Sequence, residues 1–376
     1  MPCLNEEETI GNCVRKAFEG IERTGLPGEV IVSDNGSEDR SIEIASSLGA
    51  RVINAPKRGY GNAYLSGFAA ARGEYIVMGD SDDTYDFREV GALIKPLRED
   101  GAEYVMGSRF AGKILPGAMP WLNQHIGNPV LTWILNRMFG LRASDCHTGY
   151  RAFTRDAYAK MRLQTTGMEF ASEMVINAAK AKLNVAEVPI IYYPRGGESK
   201  LHRIRDGWRH LRFMLMYSPD HLFLIPGGLL FVVGLIGLLA LLPGDLHIGG
   251  HLISFHFMFV AALLVMLGFQ IMLTGFYAKA YAYTHRFAPE DRMIQLFYRY
   301  FALEKFVLAG VAIFLIGLGF DVYVLITWIN QGFRYANHVF AVRPAIVALI
   351  LMVIGGQLVF SSFLLGILDI NTKDRG

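Results

Sequence analysis

MGDSDDTYDF, residues 78–87, sets four aspartates, Asp80, Asp82, Asp83 and Asp86, directly behind the apolar run Tyr75–Met78. A short apolar run that gives way to Gly and Asp reads as a buried strand ending in an acidic turn. On an extended segment, residues two apart share a side, so Asp80 and Asp82 converge while Ser81 turns away. Carboxylates held side by side repel, and a hard divalent cation relieves that repulsion through oxygen coordination. A solvated acidic turn is the plainer reading of an isolated D-x-D, so the rest of the chain has to decide between the two.

Outward from this point, helix-like and strand-like segments alternate, which predicts an α/β domain with a mostly parallel sheet. Thr9–Thr24, Ser41–Leu48, Gly61–Ala71 and Glu169–Ala181 read as helices. Glu29–Ser33, Arg51–Asn54, Glu74–Met78, Tyr104–Gly107 and Asn184–Tyr192 read as strands. PCLNEEETI, Pro2–Ile10, has the character of a loop and helix start that follow a strand, with no strand in front of it. A Val/Ile-rich strand encoded upstream of Met1 is therefore expected.

The 376 residues are 52% hydrophobic, but unevenly so. Beyond about residue 220 long apolar runs predict four membrane spans, roughly Leu222–Leu242, Leu252–Tyr277, Phe306–Ile329 and Pro344–Leu368. Lys and Arg gather before the first span (Arg203, Arg205, Arg209, Arg212) and in the connection 279–305 (Lys279, Arg286, Arg292, Arg299, Lys305). The connection Pro243–His251 has none, and the third has only Arg334 and Arg343. That asymmetry predicts an integral membrane protein with the α/β domain and both termini cytoplasmic. Between the two parts, Ile204, Trp208, Leu211 and Leu215 recur at helical spacing opposite Arg205, Arg209 and Arg212, the pattern of a helix lying in the bilayer interface. The expected division is an α/β domain over 1–200, an amphipathic helix over 201–221 and a four-helix membrane domain over 222–376. A net charge of +2 gives no ground for a nucleic-acid partner. Cys3, Cys13 and Cys146 have no metal-site or redox spacing.

The acidic turn is one of six stretches that occur in order: PCLNEEETI (Pro2–Ile10), VSDNGSEDRS (Val32–Ser41), KRGYGNAYLSG (Lys57–Gly67), GDSDDTYD (Gly79–Asp86), GSRF (Gly107–Phe110) and DCHTGYRAF (Asp145–Phe153). The set resembles the family 2 glycosyltransferases of the GT-A fold, and among them the polyprenyl- or dolichyl-phosphate mannose or glucose synthases, over residues 2 to about 205. The resemblance implies that Pro2, Leu4 and Glu6 border the nucleotide, that Asp34 bonds its base or ribose, and that Asp80 and Asp82 hold Mg2+ or Mn2+, with Ser81 between them in the substrate site. A related type places Gln where Thr84 stands here; that departure leaves the third protein ligand open, with Asp83 or Asp86 as substitutes. Arg109 and Arg151 match motifs that face the active site and, with Arg195 and Lys200, are expected in loops as partners for a lipid phosphate.

The resemblance thus implies an inverting transfer of a hexose from UDP-glucose or GDP-mannose to a polyprenyl (dolichyl or undecaprenyl) phosphate. The partners it implies are the nucleotide sugar, the lipid acceptor and the bilayer, and it leaves room for an oligomer. GYGNAY lacks the third glycine of a dinucleotide fingerprint and its distant acid, so Gly59 and Gly61 are read as letting a loop pass close to the nucleotide. Glu169 and Glu173 share a helix face, either as an acceptor-side pair or as a solvated stripe. A processive polysaccharide or glycolipid synthase is the first rival, although no Q-x-x-R-W precedes the membrane part. A non-catalytic membrane scaffold that binds nucleotide sugar is the second.

Overall fold

A computed structural model describes residues 1–196, 203–284, 292–300, 303–333 and 338–373, and Lys200 lies outside them. The chain forms two compact units, Met1–Met214 and Leu215–Gly376.

The first unit carries strands β1 (Pro2–Cys3), β2 (Ile31–Asp34), β3 (Arg51–Asn54), β4 (Tyr75–Met78), β5 (Tyr104–Ile114), β6 (Arg151–Thr154) and β7 (Val185–Tyr192). One sheet runs β1-β2-β3, parallel throughout, and a second runs β4-β6-β5-β7. In the second, β5 and β7 are parallel while β6 lies antiparallel to both its neighbours. The α/β architecture holds, with β6 as the antiparallel exception. That strand is four residues inside DCHTGYRAF and opens on an arginine, so its pairing comes from tertiary context and not from local pattern.

Between the strands come α1 (Ile10–Thr24), α2 (Ser41–Ser47), α3 (Tyr60–Ala70), α4 (Val90–Glu99), α5 (Asn128–Phe139), α6 (Arg155–Met161), α7 (Phe170–Lys180) and α8 (Arg203–Met216). In α1, Ile10, Cys13, Val14 and Ala17 form one buried stripe, and Gly25 ends the helix at φ +67°, a left-handed cap that glycine adopts without strain. That stripe packs with Val32, Leu93, Val105 and Ala152 in the core. Where a first strand is expected, only Pro2 and Cys3 pair with β2. Ile31, Ser33, Tyr75, Val77, Ala63 and Phe68 line an apolar cavity of about 410 Å³ beside it.

The second unit comprises α9 (Ile225–Leu241), a hairpin of β8 (Leu246–Ile248) and β9 (His251–Ile253), α10 (His256–Thr284), α11 (Arg292–Tyr300), α12 (Leu303–Asn330) and α13 (His338–Lys373). Four segments, Asp220–Leu241, His256–Tyr283, Leu303–Asn330 and Ala341–Leu368, are long and apolar enough to cross a bilayer. Each overlaps an expected span. Lys279 pairs with Asp220 and Arg343 with Asp245, both at 2.6 Å.

Backbone approach holds these helices together, and it does so twice in the same way. A Cβ on Gly227 would meet the Gly268 carbonyl, and one on Gly268 the Phe231 nitrogen; on Gly310 it would meet the Gly355 carbonyl, and on Gly355 the Phe314 nitrogen. Gly234 meets Ala261 as Gly317 meets Ala348. The sequence Gly227-x3-Phe231-x2-Gly234 of α9 thus recurs as Gly310-x3-Phe314-x2-Gly317 in α12. Likewise Ala261-x6-Gly268-x-Gln270 of α10 recurs as Ala348-x6-Gly355-x-Gln357 in α13. Small residues permit this van der Waals contact where no hydrophobic drive exists between helices in lipid. The two equivalent glutamines meet, Gln357 Nε2 donating to Gln270 Oε1 at 2.7 Å.

Candidate active site

At the end of β4 the chain turns through the acidic stretch. Ser81 faces the fold, its hydroxyl donating to the Pro2 carbonyl at 2.6 Å and its carbonyl accepting from the Thr9 hydroxyl at 2.7 Å. Those bonds tie the turn to β1 and the start of α1.

Asp80 Oδ1 accepts from the hydroxyls of Tyr60 and Tyr64, each at 2.9 Å. The two tyrosines lie four apart on α3, hence on one face, with their rings edge to face at 4.9 Å. Burial, then the charge of Asp82, push the Asp80 carboxyl up to about 6, while the tyrosine hydroxyls and Arg195 pull the other way. A Cβ on Gly149, from the DCHTGYRAF stretch, would collide with Asp80 Oδ2, so this glycine leaves that oxygen room. Asp82 Oδ1 accepts from the Thr84 amide at 3.2 Å and its hydroxyl at 2.6 Å. Asp82 Oδ2 stands 3.3 Å from Arg195 Nη1, and Arg195 Nη2 lies 3.1 Å from Glu6 Oε1. The Arg195 Nε is buried and has no hydrogen-bond partner among the described residues.

These groups suit a divalent ion on chemical grounds. Both carboxylates are hard oxygen donors, and the Asp80 carboxyl is raised first by burial and then by the neighbouring charge of Asp82, both of which a bound cation would offset. Among the described residues no group of three or more His, Cys, Asp or Glu could hold a metal. Asp80 and Asp82 would be its protein ligands, with water and phosphate oxygens completing the set, as suits Mg2+. The two aspartates named as substitutes for a third ligand each have a cation of their own. Asp83, at φ +60°, pairs with Lys16 at 2.6 Å, and Asp86 caps the turn at Phe87 and pairs with Arg88 at 2.7 Å.

Of the arginines expected in loops, Arg195 lies in one, just after β7, whereas Arg109 and Arg151 stand in strands. Arg109 lies within β5, buried, with its guanidinium forked onto Asp145 at 2.6 and 2.8 Å and its plane 5.1 Å from the Tyr192 ring centre. Burial alone would raise the Asp145 carboxyl, but Arg109 holds it below the usual range. Arg151 opens β6 with no exposed surface and donates to the carbonyls of Thr148, Ala171 and Cys146 at 2.8, 2.8 and 3.0 Å. Each supports the DCHTGYRAF loop from within.

Three further readings shift. Asp34 is buried, and its oxygens accept from the Gly36 and Ser37 amides at 3.0 and 3.1 Å, a turn cap. Gly59, at φ +137°, and Gly61 would each collide through a Cβ with the carbonyls of Thr166 and Thr165, so the close approach they permit is to that loop. Glu173 is fully buried, accepting from the Gln164 and Thr165 amides at 2.9 Å, which is neither an acceptor-side pair nor a solvated stripe. Leu4 sits half-buried beside Glu6. Tyr60, Tyr64 and Gly149 are the residues sequence reasoning misses. The i, i+4 tyrosines within KRGYGNAYLSG were the available signal, but nothing local names Asp80 as their target.

Residues 1–162 match the Glycosyl transferase family 2 profile, and residues 276–369 match that of the Glycosyltransferase family 2 C-terminal transmembrane region. The chain is similar to the low-salt glycan biosynthesis hexosyltransferase Agl6 of Haloferax volcanii, 43% identical over 366 residues, which span 97% of this chain and 87% of that protein. It is also similar to a dolichyl-phosphate hexose transferase of the same organism, 34% identical over 210 residues, 55% of this chain and 87% of that protein. A crystal structure of glucosyl-3-phosphoglycerate synthase from Mycobacterium tuberculosis with Mn2+, UDP-glucose and phosphoglyceric acid superposes with TM-score 0.46 at 23% identity, covering 57% of this chain and 76% of that one.

Proposed function

The chain belongs to glycosyltransferase family 2, and from that premise we propose that it moves a hexose from a nucleotide diphosphate sugar, UDP-glucose or GDP-mannose, to a polyprenyl phosphate at the cytoplasmic face of the membrane. The observation that carries this reading is the carboxylate pair at the end of β4, where Asp80 is raised by burial and by Asp82. The name of the Haloferax dolichyl-phosphate hexose transferase supports the lipid acceptor. The Lys and Arg bias of the connections supports the orientation.

A Mg2+ or Mn2+ ion held by Asp80 and Asp82 would supply charge neutralisation at the departing diphosphate. The chain's own groups do the rest. Tyr60 and Tyr64 fix the Asp80 carboxylate in orientation, and Thr84 does the same for Asp82. Arg195, whose guanidinium reaches both Glu6 and Asp82, offers its charge to a phosphate oxygen beside them. Arg109 and Arg151 act as positioning residues for the loop that bears Gly149. A phosphate acceptor is already ionised near neutral pH, so no general base is required, and in-line attack on an α-linked donor gives a β-linked lipid-phosphate sugar and a nucleoside diphosphate.

The test incubates membranes holding the full chain with radiolabelled UDP-glucose or GDP-mannose and polyprenyl phosphate, with and without chelator. Label entering the organic phase from one donor, and abolished by chelation, is the expected result. No transfer from any nucleotide sugar, or transfer unchanged by chelator, overturns the reading.

A further inference from the structure

Three stretches of chain meet at Asp82, and the last of them brings a cation. Beyond β7 the backbone runs antiparallel to the acidic turn. Tyr192 bridges Tyr85, the Tyr193 amide donates to the Thr84 carbonyl at 3.0 Å, and the Gly196 amide donates to the Asp82 carbonyl at 3.2 Å. A Cβ on Gly196 would meet Thr9 Cγ2, so glycine lets this run pass close against the start of α1. Backbone bonds on either side of Arg195 thus set it between Glu6 and Asp82. Its guanidinium reaches both, Nη2 to Glu6 Oε1 at 3.1 Å and Nη1 to Asp82 Oδ2 at 3.3 Å.

Which oxygen it takes matters. Asp82 Oδ1 is engaged by the Thr84 amide and hydroxyl, so Oδ2 is the oxygen left for a divalent ion. Mg2+ bonds a carboxylate oxygen at about 2.1 Å. A guanidinium 3.3 Å from the same oxygen would then stand within a few ångströms of that ion, beside side chains only 23% and 12% exposed, where water screens the repulsion weakly. The charge of Arg195 is also felt beyond its direct partners. Burial and Asp82 raise the Asp80 carboxyl, and the tyrosine hydroxyls and Arg195 pull it back. One guanidinium serves Glu6, Asp82 and, at longer range, Asp80, and two of these three are the carboxylates that suit the ion.

We propose that Arg195 is the internal counter-cation of this site: it yields Asp82 Oδ2 to the divalent ion and, still tethered by its backbone, turns its guanidinium to the phosphate of the acceptor. The arginine is then released to that phosphate only at a site whose ion is in place. The identity of the acceptor rests on the transfer proposed above, whereas the exchange stands on the geometry alone.

The test uses the full chain in detergent with neither nucleotide sugar nor lipid phosphate, so its failure is distinguishable from failure of the transfer reading. Mn2+ is titrated by electron paramagnetic resonance into the parent, Arg195→Met and Arg195→Lys, counting only binding that Asp82→Asn abolishes. Loss of the competing charge in Arg195→Met should tighten Mn2+ binding about tenfold. Arg195→Lys, which keeps the charge, should stay near the parent. Arg195→Met binding Mn2+ no more tightly than the parent overturns the proposal, and no binding that depends on Asp82 in any of them removes the exchange together with the ion. A second measurement needs no variant: phenylglyoxal modification of the parent, read by peptide mass spectrometry with and without Mn2+. Labelling at Arg195 should rise severalfold with Mn2+, while Arg109, forked onto Asp145, stays unchanged. Arg195 labelling that Mn2+ leaves unchanged or lowers means the arginine remains on Asp82 beside the ion, which overturns the exchange.

Discussion

Two charged clusters lie within the catalytic unit, and they differ in how fully they are satisfied. At the end of β4, Asp80 and Asp82 lean on hydroxyls and on one arginine whose Nε has no described partner, and Asp80 is pushed up toward 6. Around β5 and β6, Arg109 closes on Asp145 and Arg151 spends its guanidinium on three carbonyls. Both clusters sit in motifs of equal apparent weight. The difference teaches that an unsatisfied charge marks where a ligand is awaited, whereas a saturated one marks a brace.

The comparison breaks most visibly at the brace. Arg151→Ala strands three buried carbonyls and leaves a cavity, and should cost about 3–5 kcal/mol by loss of a buried hydrogen-bonded ion. Chemical denaturation of the catalytic unit in the full chain would show it, and a variant as stable as the parent would mean the cluster is not structural. Asp82→Asn should do the opposite, leaving stability near the parent's while sugar transfer falls about 10²–10³-fold. Tyr64→Phe removes one of two donors to Asp80, and should weaken divalent-ion binding about tenfold in a metal titration, with the fold intact.

The smallest effect is one of pH. Asp80 has a folded pKa of about 6, above its ordinary value of 3.8, so between those limits the folded state holds a proton that the unfolded chain has released. Stability contributed by this group is therefore full below the ordinary value, falls as pH rises through about 6, and stays flat above. His147, pushed low by burial and by His210, works in the opposite sense. The two are separated by comparing parent with Asp80→Asn: only the parent should show the fall, and added Mg2+ should reduce it.

Much of this was legible beforehand. The apolar run Tyr75–Met78 and its acidic turn, the alternation of elements and the four spans all follow from local pattern and length, which the chain states residue by residue. The saturated state of Arg109, Arg151 and Glu173 does not, because it depends on carbonyls and amides that no spacing announces. Strand β6 escaped for the same reason, and so did the approach of Gly59 and Gly61 to the Thr165 and Thr166 carbonyls, because a glycine declares close approach without saying to what.

The doubled hairpin has a consequence of its own. The pattern of α9 with α10 recurs in α12 with α13, and its two equivalent glutamines, Gln270 and Gln357, meet between the pairs. A protein built that way carries in a single polypeptide what an ancestral half would have had to achieve by self-association. The segment 220–284 expressed alone in a membrane should therefore homodimerise, with glutamine clasping glutamine where the present-day chain joins its own two halves.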